Sequence, residues 1–255
     1  MKTMKGLIPA LVLLLVSTAQ AQTTLHIAAA ADLTPVLPPI FAQFEQQTGI
    51  HCEPTFQASA MLTTQIENGA PFDLFLSADL GYPKKLIDAG FADPGTSTPV
   101  TYAKGTLVLW ERNDSKLPPP SLDLLRSADL TRLAIANPDR APYGKAAIAA
   151  LTSLKLYDTL KPKIVTAENI AQTAQFVESG NAQAGLISLT SAKTPQLSSS
   201  GTYWVIPRDL YPPIEQGAIL VKASTQHQAA QKFLDFLLSA PIQSELEKSG
   251  LTPAN

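Results

Sequence analysis

Four short stretches carry small or polar residues where an apolar run gives way to a helical pattern: Ala30-Ala31-Asp32, Gln57-Ala58-Ser59-Ala60, Ala141-Pro142-Tyr143-Gly144 and Glu168-Asn169-Ile170. A helix start exposes N–H groups that have no intrahelical acceptor, at the positive end of the helix dipole. Such a junction can hold an anion without a lysine or arginine. Taken singly, each has a plainer reading: Ser59 as a helix N-cap, Tyr143 as a core aromatic. Their recurrence carries the argument. Other chemistries lack their residues. The three histidines, His26, His51 and His227, stand in no metal-ligating spacing, and there is no G-x-S-x-G elbow, P-loop or dinucleotide fingerprint. Among the 21 acids no pair is singled out for glycoside chemistry.

The elements that must position these junctions follow from periodicity. From Leu25 onward, short β-like runs alternate with helical patterns, the signature of an α/β chain with mostly parallel strands. Strands are predicted at Leu25 to Ala29, His51 to Phe56, Asp73 to Ser77, Leu133 to Ala136, Lys163 to Val165, Ala184 to Ile187 and 217–224, with "TYAKGTLVLW" opening a second unit. Between them, Val36, Leu37, Ile40, Phe41 and Phe44 mark a helix that stops at Gly49. Further helices are expected over 60–68, 84–90, 144–156 and 170–179, and Phe233, Leu234, Leu237 and Leu238 form the inward stripe of another before a last one near Pro241 to Gly250. Two junctions fall in each unit. If the units face each other, the four helix ends converge beyond the carboxyl ends of the strands.

The first 21 residues read as a cleavable export leader: Lys2 and Lys5, an apolar run from Leu7 to Val16, then Ala19-Gln20-Ala21. Cleavage is expected after Ala21, giving a soluble periplasmic protein, and the only cysteine, Cys52, lies too far downstream for a lipid anchor. It permits no internal disulfide and reads as a small buried hydrophobe. Loss of the two leader lysines takes the net charge from −2 to −4, and no basic run remains, which excludes nucleic acid as a partner.

The stretches "HIAAAADL", "FQASAMLTTQIENGAPFDLFLSADLGYPKKLIDAGF", "YAKGTLVLW", "IANPDRAPYGKAAIAAL" and "ENIAQTAQFVESGNAQAGLISL" resemble, in order and over nearly the whole mature chain, the periplasmic molybdate- and tungstate-binding proteins of ABC importers. The resemblance implies a two-lobed type II periplasmic-binding fold, each lobe a mostly parallel sheet flanked by helices. Lobe 1 is expected over 22–104 plus 217–255 and lobe 2 over 105–216, with chain crossings near Lys104 and Gln216. It implies a monomeric receptor, not an enzyme, that needs no cofactor and hands molybdate or tungstate to a membrane permease. The contacts carried over are the backbone and side chain around Ala31 and Asp32, the hydroxyl and N–H of Ser59, the N–H or hydroxyl of Tyr143 and the N–H of Ile170. No residue is expected to ligate the metal directly. A second branch of the family has a tyrosine after the strand ending near Ile187, where this chain has Ser188.

Asp32 departs from the family, which often has Ser or Asn there. A carboxylate about 4 Å from one unit of ligand charge costs on the order of 4 kcal/mol at an effective dielectric near 20. Asp32 must therefore turn away to cap the N–H of Thr34, be protonated when the site is filled, or accept a proton from a ligand that keeps one. The first is preferred, since Asp is a common cap, and it leaves a fully ionised tetrahedral dianion as the best ligand. The third favours a protonated oxyanion such as phosphate or arsenate.

Overall fold

A computed structural model describes residues 22–254; the expected leader and its cleavage point lie outside the described residues. The strands are β1 (Thr24–Ala30), β2 (His51–Gln57), β3 (Leu74–Ser77), β4 (Val100–Gly105), β5 (Leu107–Arg112), β6 (Leu133–Ala136), β7 (Ile164–Ala167), β8 (Ala184–Ser188), β9 (Gly201–Val205), β10 (Ile214–Leu220) and β11 (Thr252–Pro253). They form two sheets, ordered β11-β4-β10-β3-β1-β2 and β7-β6-β8-β5-β9. The chain passes to the second sheet between Gly105 and Leu107 and returns between Val205 and Ile214.

The α/β class is as expected, but both sheets are mixed. β1 runs parallel to β2 and β3, and β6 parallel to β7 and β8, whereas β10 is antiparallel to β3 and β4, and β5 to β8 and β9. Parallel neighbours need a long crossover, usually helical. The strands beside the two passages, β4, β5, β9 and β10, join their sheets without one. β10 also begins earlier than periodicity suggests: Ile214 to Gln216 already pair with Gly105 to Ala103, and the register shifts at Gln216/Gly217.

β1 lies between β3 and β2 and is buried on both faces from Ile27 through its alanines to Ala30, as an apolar run in a covered strand requires. The helix Leu37–Thr48 turns Leu37, Ile40, Phe41 and Phe44 inward and ends at Gly49, whose φ of 72° places it in the left-handed region that glycine tolerates. Opposite it, Phe233 of the helix His227–Leu238 lies 5.4 Å from the Phe41 ring and 5.1 Å, edge to face, from Phe44. Cys52 is buried, and burial, with Glu45 nearby, pushes its thiol up to about 12, so it is inert packing.

Between Ser188 and β10 the chain holds two short helices, Leu189–Ala192 and Pro195–Ser200, and the edge strand β9, none of which the periodicity announces. β9 is exposed at Thr202, Tyr203 and Val205 and shows no clean alternation. No helix among the described residues is long and apolar enough to cross a membrane.

Replacing Phe233 by Ala empties the contact that joins the first and penultimate long helices. The expected loss is about 3–5 kcal/mol of unfolding free energy, seen in urea denaturation as a lower midpoint with an unchanged slope. A midpoint within error of the wild type would show that the aromatic cluster is not a stabilising core.

Candidate functional site

Strand register brings the four junctions to common edges. Ala30 stands opposite Gln57 at the ends of β1 and β2, and Ala136 opposite Ala167 at the ends of β6 and β7. The chain then turns into the 3-10 turn Ala31–Leu33 and the helix Ser59–Glu67 on one side, and the helices Pro142–Ser153 and Ile170–Glu178 on the other. Gly144 makes the third start possible, because a Cβ there would lie 2.3 Å from the Ala136 carbonyl oxygen. One small cavity results, lined by Ala31, Asp32 and Ser59 from the first sheet's side and by Tyr143, Asn169 and Ile170 from the second's. All five residues expected at the site, Ala31, Asp32, Ser59, Tyr143 and Ile170, are buried around it. No lysine or arginine lines it, and Asp32 is its sole acid.

The amides facing this space are not consumed by capping. At Pro142–Ser153 the capping bonds run from Gly144 and Lys145 to the Ala141 carbonyl; at Ile170–Glu178 the Asn169 side chain takes the N–H of Gln172. Neither uses the amide of Tyr143 or Ile170. At Ser59–Glu67, Met61 and Leu62 donate to Ala58, and Ala60 donates to the Arg140 carbonyl across the interface at 3.2 Å, leaving the Ser59 amide out of these bonds. Ser59 is not an N-cap. Its hydroxyl accepts the Ala78 N–H at 3.1 Å, so its own proton remains to be donated.

Asp32 corrects the sequence expectation. It does turn its carboxylate to protein donors, but not to Thr34, whose N–H and hydroxyl both go to the Ala31 carbonyl. The segment is a 3-10 turn capped by Ala30, so Asp32 lies inside the turn and its side chain points into the interface. There Oδ2 accepts from the Tyr143 hydroxyl, at 3.2 Å, and from Nε2 of Gln216 on β10. Oδ1 is buried without a partner. The main-chain carbonyl of Asp32 takes the Thr190 hydroxyl at 2.8 Å. The Tyr143 hydroxyl fits only because residue 105 is glycine: a Cβ there would stand 2.3 Å from its oxygen. Ser188 does not replace the tyrosine of the second family branch. Its hydroxyl bonds Thr190 and Ser191 and does not line the cavity.

Burial pushes the Asp32 carboxyl up to about 6, against the opposing hydrogen bonds from Gln216 and Tyr143 and a smaller one from its own backbone. Burial, reinforced by the Asp32 charge, holds the hydroxyls of Tyr143 and Tyr102 well above the ordinary tyrosine range, so both stay protonated donors. Gln216, Thr190 and Gly105 were not anticipated. Gln216 is fully buried although it stands beside Glu215 in "IEQGAIL", so no apolar period along the chain marks it as inward.

Residues 25–252 match the family model described as bacterial extracellular solute-binding protein. The chain belongs to this family. It is 39% identical over 223 residues to the molybdate-binding protein ModA of Rhodobacter capsulatus, covering 88% of this chain and 86% of that one. To ModA of Azotobacter vinelandii it is 37% identical over 236 residues, 92% of each chain. The solved structure of the Azotobacter vinelandii periplasmic molybdate-binding protein superposes with a TM-score of 0.84 at 31% identity, covering 91% of this chain and all of that one. Two lobes flanking a cleft are thus the architecture of this solute-binding protein, and its relatives bind and deliver solutes; it is not an enzyme.

Asp32 holds its proton more tightly in the folded protein than in the unfolded chain. Its contribution is therefore fully present below about pH 4, is lost between about pH 4 and 6, and is level above that, a difference of up to about 3 kcal/mol. Relative to Asp32→Asn, the wild-type thermal midpoint is expected to fall across that window. Parallel midpoints for the two proteins would show that the carboxyl is solvated.

Proposed function

We propose that this protein captures molybdate or tungstate between its lobes in the periplasm and delivers it to the permease of an ABC importer. The observation that carries the reading is the convergence of four helix-start amide sites and the Ser59 hydroxyl, from both sheets, on one buried space with no cation. The Asp32, Ser59, Tyr143 and Ile170 amides are the donors, with the Ser59 side chain; the small side chains of Ala30 and Ala31 let the anion reach the backbone. Oriented dipoles at helix starts neutralise a doubly charged tetrahedron without a lysine that would bind anions of any shape. Selection against the smaller sulfate falls to cavity size, since the donors recognise any tetrahedral dianion. The names of the Rhodobacter and Azotobacter relatives support molybdate.

In this reading the lobes divide near Lys104 and, on the return, between Val205 and Ile214, because Ile214 to Gln216, expected in the second lobe, already pair with β4 in the first sheet; the protein acts as a monomer after loss of a leader ending at Ala21. Tyr143, donating to Asp32, ties the second lobe to the first when the cleft is shut, and Gln216 holds the same carboxyl from within the first lobe's sheet. The residues of the site thus do two jobs: amides hold the ligand, and the Asp32 side chain holds the closure.

Titration followed by calorimetry or by the fluorescence of Trp110 and Trp204 is expected to show tight binding of molybdate and tungstate and weak binding of sulfate. Phosphate binding without a molybdate response would overturn the reading in favour of a protonated oxyanion. Ser59→Ala removes one hydroxyl donor and also the acceptor for the Ala78 amide. It is expected to weaken molybdate binding about tenfold or more, roughly 1.4 kcal/mol.

A further inference from the structure

Asp32 places a carboxyl in the same cavity that, in the function proposed above, receives a dianion, and the surroundings offer it no positive partner. The groups facing it are known from each packed element. β4 contributes the Tyr102 hydroxyl, the helix Pro142–Ser153 the Tyr143 hydroxyl, β10 the neutral Gln216 amide, and the helix Leu189–Ala192 the neutral Thr190. The helix Ile170–Glu178 adds Ile170 to the lining and no charge. Lys145, one turn into its helix, lies over the Tyr82 ring, 5.0 Å from its centre, and the charge of Asp79 acts with that of Asp32 on the Tyr102 hydroxyl. The carboxyl is also used asymmetrically. Oδ2 takes both donors, and Oδ1, equally buried, takes none.

We propose that capture of the dianion is accompanied by uptake of one proton from solvent onto Oδ1 of Asp32, so that the closed complex holds a neutral carboxylic acid beside the anion. The O–H bond forms at the atom the protein leaves unpartnered, and Oδ2 continues to accept from Tyr143 and Gln216. No other bond changes. The inference rests on the oxyanion reading and asks how its charge is accommodated.

Magnitudes decide between the two protonation states. An ionised carboxylate about 4 Å from a single ligand charge weakens binding on the order of a thousandfold at an effective dielectric near 20, and a dianion more. Protonating a group that titrates near 6 weakens it only about tenfold at pH 7. Protonation is the smaller penalty until well above neutral pH. A neutral acid on Oδ1 becomes a donor, which supplies the buried atom with the bond it lacks. The same bookkeeping disfavours a carboxylate that stays charged beside the ligand.

The test is calorimetric titration with sodium molybdate at pH 7.5 in two non-phosphate buffers of different ionisation enthalpy, repeated from pH 6 to 9. The wild type is expected to take up close to one proton per molybdate. Its Kd should rise about tenfold per pH unit above pH 6, until the complex itself releases the proton. Asp32→Asn is expected to take up none, to show a flat profile, and to bind about tenfold or more tighter than the wild type at pH 8. Molybdate binding by the wild type with no proton uptake and a flat profile would overturn the inference, as would uptake of one proton that persists in Asp32→Asn. Should the variant fail to fold, the wild-type proton count decides alone. Absence of molybdate binding at every pH would instead reject the oxyanion reading on which the inference stands.

Discussion

A negative charge taken out of water without a positive partner can be held only by dipoles that already point at it, because reorienting them on binding would consume the energy they supply. That constraint organises this protein. Helix starts provide such dipoles at no cost in side-chain entropy, but one start carries only part of a charge. Several must therefore meet, and they can do so only if two sheets present their helix-bearing edges to each other. The in-register ends of β1 with β2 and of β6 with β7 are what make the four starts coincide.

The small residues follow from the same requirement. Alanines at 30, 31, 58, 78 and 141 keep backbone amides at the surface of the cavity, and Gly144 lets its helix sit on the end of β6. Gly105 is needed for a different reason. It clears the space into which the Tyr143 ring carries its hydroxyl, so that the passage between sheets, the second lobe's helix and the first lobe's turn meet at Asp32. A closure read by a buried carboxyl is sensitive to solvent, since opening the cleft would return that group to water and lower its affinity for a proton. Closure, ligand charge and protonation are in this way properties of one small network and not of separate parts.

The helices and most strands were legible because burial on one face leaves a period in the sequence. Leu37, Ile40, Phe41 and Phe44 announced their helix, and Gly49, Gly69, Gly90 and Gly180 marked four ends, each with φ near +70° to +80°. The edge strand β9 and the short helices before it left no period, since little of β9 is buried. Residues Ser59, Tyr143 and Ile170 were found through local junction chemistry and the family likeness, and the structure gathers them around one cavity.

What the sequence determined alone was local: where helices begin, which of those starts carry small residues, the scarcity of histidine and cysteine, and the oddity of an acid at Asp32. Which way that acid turns was decided only by tertiary structure. Thr34 lies two residues away and is a plausible partner by every local rule, yet the 3-10 turn gives its amide to Ala31 and aims the carboxyl at Tyr143 and Gln216, 111 and 184 residues distant. A side chain's partners across an interface depend on the packing of elements far apart in the chain, and no spacing along the chain encodes that contact.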